Sequence, residues 1–129
     1  MSETTKVPEN LQYTATHEWV RVEGSVLTMG ITDHAQSELT DVVYVTLPAV
    51  GQPVHEKQVL LTLESVKTVA DVYAPANGKV ARVNEELTKD PGLVNKDPYG
   101  KGWILAIEFS APPTGLLSAE KYKSLAASH

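Results

Sequence analysis

Short runs of alternating apolar and polar residues follow one another along most of this chain, punctuated by glycine, proline, asparagine and aspartate. A period of two with such punctuation predicts strands and tight turns. Residues 11–14 read as an edge strand, and 18–22 with 26–31 as a hairpin turning at Gly24. Trp19, Val22, Leu27 and Ile31 are its expected core or half-core positions. Residues 42–47 form the next strand, which Pro48 ends because it brings no N–H to a ladder. After a connection over 51–57, the alternating segments 59–63 and 69–73 flank Glu64-Ser65-Val66-Lys67 as the arms of a second hairpin. Asn77-Gly78 signals a tight turn that tolerates positive φ, ahead of a strand at 79–84. Residues 85–102, rich in Pro, Gly, Asn and Asp, read as an irregular loop, and 103–109 as the last strand.

Two stretches carry helical signals instead. Thr32 or Asp33 can cap free backbone N–H groups, with Gln36 three residues after Asp33 as a capping-box partner, which predicts a short helix near 32–39. Beyond Pro112-Pro113, Leu116, Leu117, Tyr122 and Leu125 gather on one side of a C-terminal helix near 113–126, expected to pack on the sheet. Residues 1–10 are polar and expected to be loosely ordered. Similar strand, turn and strand units lie on either side of Lys67. The expected fold is therefore mainly β, a flattened β-sandwich with barrel character in one domain spanning 1–129, with Lys67 at one end.

Lys67 is the most informative position. Exposure alone is ordinary for lysine. A rigid, fully accessible amine at a hairpin tip is also what a long prosthetic arm needs. Ser65, two residues away, shares its face in a continued strand and raises the idea of a serine activated by a lysine base. Such a base must be neutral, which takes burial or a neighbouring cation; here the near neighbours are Glu64 and Asp71 and the site is a turn. Lys67 therefore reads as an acceptor that a separate enzyme modifies, not as a catalyst.

Composition narrows the field. At 129 residues and 14.0 kDa the chain suffices for one domain with a modest core. A net charge of −5 leaves no basic stripe for nucleic acid. There is no cysteine, so sulfur or redox chemistry has to arrive on an attached group. His17, His34, His55 and His129 show no metal-ligand spacing. The start of the chain lacks secretory or transit character and no apolar run is long enough to span a membrane, which makes a bacterial-type cytoplasm the default.

With these residues in view, the chain resembles the glycine cleavage system H proteins, which are lipoyl carriers. Glu64-Ser65-Val66-Lys67 followed by Asp71-Val72-Tyr73-Ala74-Pro75 is similar to the family's lipoyl-attachment segment. His17-Glu18-Trp19, Gly30-Ile31-Thr32-Asp33-His34-Ala35-Gln36, Leu93-Val94-Asn95 with Pro98-Tyr99, and Gly102-Trp103-Ile104 match family motifs in the same order. Thr68, Ala70 and Thr40 depart from the pattern, where Ala, Ser and Gly are usual.

The resemblance implies a fold of the lipoyl/biotinyl type and a non-catalytic carrier with lipoate in amide linkage to Lys67, recognised through Glu64, Ser65 and Val66. It implies three partners besides the lipoyl-attaching enzymes. A pyridoxal-phosphate glycine decarboxylase (P protein) would load an aminomethyl group from glycine, and a tetrahydrofolate-dependent aminomethyltransferase (T protein) would remove it. A dihydrolipoamide dehydrogenase (L protein) would reoxidise the dithiol. The missing cysteines fit, since the dithiol belongs to the cofactor. It further implies a cleft that shelters the loaded arm, with Thr16, Glu18 and Asp71 as candidates to hold a protonated amine.

Rival readings share parts of this pattern. A biotinyl carrier also places lysine on a hairpin, but flanks it with methionines, whereas Val66 and Thr68 stand here. A lipoyl subunit of a 2-oxo acid dehydrogenase usually continues into linkers and a catalytic core. A relay of lipoyl groups to other complexes needs the same lysine as glycine cleavage, and an unmodified interaction module needs no lipoyl group at all.

Overall fold

The computed structural model describes residues 6–127, which form nine strands and four helices in two sheets. The first five strands and first helix are β1 (Gln12–Tyr13), β2 (Glu18–Glu23), β3 (Val26–Ile31), α1 (Asp33–Leu39), β4 (Val42–Val45) and β5 (Pro53–Val54). Then come β6 (Val59–Ser65), β7 (Val69–Tyr73), β8 (Gly78–Val83), α2 (Glu86–Lys89), α3 (Leu93–Lys96), β9 (Leu105–Phe109) and α4 (Ala119–Ala127). One sheet has six strands in the order β1-β2-β3-β9-β8-β5, and the other three in the order β4-β6-β7. Every pairing is antiparallel, and the sheets do not close into a barrel.

Between the sheets lies a core of Val20, Leu27, Met29, Leu63, Val72 and Ile107, all nearly or fully buried. Val22 is not part of it. It shares a face of β2 with the buried Val20 but lies further along the strand, where it is 40% exposed. Trp19 is fully buried in a second cluster with Leu11, Tyr13 and Tyr122. Its indole lies across Gly30, its cross-strand partner; a Cβ there would come within 2.7 Å of Nε1. That nitrogen donates to the Pro98 carbonyl at 2.8 Å, which gives the Gly30 and Pro98-Tyr99 motifs a shared structural reason.

Several local expectations change. Asn77-Gly78 is not a positive-φ hairpin turn: β7 and β8 belong to different sheets, and the dipeptide is the corner between them. Glycine is needed there because a Cβ would sit 2.1 Å from the Glu108 carbonyl oxygen. The loop over 85–102 contains the single-turn helices α2 and α3, and the connection over 51–57 contains β5.

The C-terminal helix begins at Ala119, not near 113. Gly115 at φ +74° and reciprocal backbone bonds between Leu117 and Tyr13 keep the chain extended up to Ser118. Leu116 and Leu117 therefore precede the helix, and Tyr122 is its buried anchor. At the other end, residues 1–5 lie outside the described span, but Lys6 is tied down: its N–H donates to Asp33 and its carbonyl accepts from Tyr99 Oη.

Candidate functional site

Lys67 stands at the tip of the β6–β7 hairpin and is exposed, and among the described residues no carboxylate forms an ion pair with it. Ser65 explains the stiffness of the tip. Its Oγ accepts the N–H groups of Lys67 (3.2 Å) and Thr68 (3.1 Å) and lies 3.1 Å from the Thr68 carbonyl, to which it donates. The hydroxyl is thus spent on the turn, as serine commonly is. The Val66 N–H adds a brace from outside the hairpin by donating to the Asp41 carbonyl at 3.0 Å.

Glu18 lies between the two sheets with only 1% of its surface exposed. Thr14 and Thr16 both donate their hydroxyls to Oε1, the latter at 2.6 Å, and the Tyr73 N–H donates to Oε2 at 3.0 Å. Thr14 Oγ1 also accepts the Glu18 N–H at 3.1 Å. Burial pushes the Glu18 carboxyl above its ordinary value, against the opposing pull of those hydrogen bonds. A carboxylate held in this way is an aimed acceptor at the margin of a dry core.

The carboxylate borders a cleft of about 350 Å³ between β2, α1 and the β6–β7 hairpin. Thr16, Glu18 and Asp71, expected to hold a protonated amine, all line it. Its apolar wall comes from Ile31, Leu39, Leu63 and Val72. Such a lining suits an amphiphilic occupant, with hydrocarbon or sulfur against the aliphatic wall and a cation toward the carboxylates. The cleft and Lys67 are served by the same hairpin, since Asp71 and Val72 belong to β7.

Sequence reasoning missed Thr14, His17, His34 and Tyr122. Thr14 precedes β2 in a turn closed by the His17 N–H on its carbonyl, so strand spacing gave no signal for it. Nothing local could have found Tyr122, whose hydroxyl lies 2.6 Å from His17 Nδ1 and 2.7 Å from Thr32 Oγ1. Thr32 in turn caps α1 by accepting the Ala35 N–H. His17, at φ +73°, stacks on His34 with ring centroids 4.7 Å apart. The C-terminal helix thereby holds both the β2 and the α1 walls of the cleft.

Two sheets around a hairpin whose tip presents one lysine define a domain of the lipoyl type. The chain belongs to the glycine cleavage H-protein family, whose model matches residues 11–129. It is 52% identical over 117 residues to a glycine cleavage system H protein of Rubrobacter xylanophilus, covering 91% of this chain and 92% of that one. It is 50% identical over 121 residues to a probable glycine cleavage system H protein of Thermoplasma volcanium, covering 94% and 98%. A crystal structure of a glycine cleavage system H protein from Mycobacterium marinum superposes with a TM-score of 0.86 at 37% identity, covering 92% of this chain and 97% of that one.

Proposed function

We propose that this protein is the lipoylated carrier of the glycine cleavage system, with lipoate in amide linkage to Lys67. The observation that carries this reading is the exposed, stiffened Lys67 on the same hairpin that supplies Asp71 to an acid-lined cleft. When attached, the group supplies a redox-active dithiol that carries an aminomethyl cargo, chemistry that the cysteine-free chain cannot supply itself.

The chain's own part is to tether, aim and shelter. Ser65 and Asp41 fix the base of the arm, so its reach is set by the arm and not by a wandering loop. Tethering makes each encounter effectively intramolecular, at concentrations of order millimolar for short flexible links. Glu18, oriented by Thr14, Thr16 and Tyr73, attracts the protonated amine of the cargo, and Asp71 adds a second negative charge at the cleft. Ile31, Leu39, Leu63 and Val72 would give a group seated in the cleft an aliphatic wall that limits the access of water. Catalysis is left to the partners: the glycine decarboxylase, the aminomethyltransferase, the dihydrolipoamide dehydrogenase and the enzymes that attach lipoate, in a cytoplasmic setting.

Reconstitution tests the assignment. With the three partner enzymes, glycine, tetrahydrofolate as one-carbon acceptor and NAD as oxidant, the lipoylated protein is expected to support release of carbon dioxide and ammonia. Lys67→Arg, which keeps the charge but offers no acylatable amine, is expected to support none, and retained turnover in that variant contradicts the reading.

A further inference from the structure

Tyr122 is fully buried in α4, outside the cleft, yet its hydroxyl reaches both elements between which the cleft lies. Its Oη is 2.6 Å from His17 Nδ1, one residue before β2, and 2.7 Å from Thr32 Oγ1, one residue before α1. With two hydrogen-bonding neighbours and a single proton, the hydroxyl donates to one and accepts from the other. Burial and the neighbouring Glu18 charge push the phenol up to about 12, against the pull of the Thr32 bond, so that proton is held at neutral pH.

His17 is the sensitive end of this link. The Thr14 N–H donates to the Glu18 carbonyl at 2.9 Å, which closes a three-residue loop over Ala15, Thr16 and His17. His17 takes the left-handed conformation, φ +73°, that such loops usually give to glycine. A bulkier residue persists there only where its surroundings hold it. Here the imidazole is bonded to Tyr122 and stacked on His34, and the His17 carbonyl accepts the Thr32 N–H at 3.1 Å. The loop so held is the one that brings the Thr14 and Thr16 hydroxyls onto the Glu18 carboxylate. On the other side, Thr32 caps the helix whose Ala35, Glu38 and Leu39 line the cleft.

We propose that Tyr122 is a positioning residue for the loaded arm. By joining His17 and Thr32 at one hydroxyl, it sets how far α1 stands from the loop that aims Glu18, and thereby how long the aminomethyl cargo is kept. The proposal rests on the lipoyl reading of Lys67. Tyr13 provides the internal comparison. It is also fully buried and stacks on Tyr122 with ring centroids 4.7 Å apart, but its hydroxyl donates to the carbonyl of Pro8, which does not line the cleft.

The test is the rate of ammonia release from isolated, lipoylated and aminomethyl-loaded protein. Tyr122→Phe keeps the ring and removes both hydroxyl bonds. It is expected to speed release about fivefold, the factor that one hydrogen bond of ordinary net strength carries. Tyr13→Phe deletes an equally buried hydroxyl and is expected to leave the rate unchanged. In a Glu18→Gln background Tyr122→Phe is expected to add little, because both changes act on one contact. The Tyr73 amide, which donates to Glu18, is expected to shift in NMR spectra of unmodified Tyr122→Phe and to stay in place in Tyr13→Phe. If Tyr122→Phe does not fold, His17→Gly cuts the same link while suiting the left-handed backbone, and is expected to speed release as well. A wild-type rate in the variant that folds, an equal acceleration in Tyr13→Phe, an undiminished effect in the Glu18→Gln background or an unmoved Tyr73 amide overturns the proposal. Failure of the wild-type protein to take up an aminomethyl group from glycine would instead overturn the functional reading on which the proposal rests.

Discussion

The Glu18 carboxylate accepts the main-chain N–H of Tyr73 at 3.0 Å, across 55 residues of sequence, and so joins the six-stranded sheet to the lysine-bearing hairpin. Burial holds this carboxyl above its ordinary value of 4.5. The folded protein therefore keeps a proton there that the unfolded chain releases. That contribution to stability is complete below 4.5 and is lost as pH rises through the folded value. Glu18→Gln does not titrate. The unfolding free energy of wild type minus that of Glu18→Gln should fall as pH increases from 4.5 upward, as measured by urea unfolding across that range. A difference that is flat or grows with pH contradicts the assignment.

The same carboxylate should govern the lifetime of the loaded arm. A charge-assisted hydrogen bond contributes roughly 1.5–3 kcal/mol, so Glu18→Gln is expected to speed spontaneous loss of the aminomethyl cargo about tenfold or more. Asp71 is exposed and its charge is screened, so Asp71→Asn should have a smaller effect in the same direction. Release of ammonia from isolated, loaded protein provides the readout.

Thr40 ends α1 at φ +62° and ψ −151°, a region that suits glycine and strains a β-branched residue. Asn95 holds the segment in place, donating Nδ2 to the Thr40 carbonyl at 2.7 Å and accepting the Val42 N–H at 2.9 Å. Thr40→Gly relieves the strain at some cost in chain entropy and should stabilise the protein by about 1 kcal/mol. Thermal unfolding checks the sign; a lower melting temperature would show that Thr40 is not strained.

Ser65→Ala removes the acceptor shared by the Lys67 and Thr68 amides. Amide exchange at these two residues should accelerate, with a stability loss of about 1 kcal/mol. Acylation of Lys67 should persist, because the hydroxyl organises the turn and performs no chemistry. Abolished acylation without any change in exchange would point to a direct chemical role.

Legibility in the sequence followed how local each cause was. The β6–β7 hairpin and the Thr32 cap of α1 were readable because a period of two and a capping residue are nearest-neighbour signals. Val22 and Asn77-Gly78 were misread because their surroundings are set by remote strands, the latter by the Glu108 carbonyl. The short helices α2 and α3 were hidden by the turn-forming composition of 85–102. Of the cleft, Thr16, Glu18 and Asp71 came from the family resemblance. Tyr122 was out of reach, because its partners His17 and Thr32 lie 105 and 90 residues away.

Intact and peptide-level mass analysis of the protein isolated from its native host is the most direct test of the central claim. A lipoyl amide localised to Lys67, and absent from a Lys67→Arg variant expressed in the same host, is the predicted result. An unmodified Lys67, a biotinyl amide there, or a lipoyl amide on another lysine would contradict it.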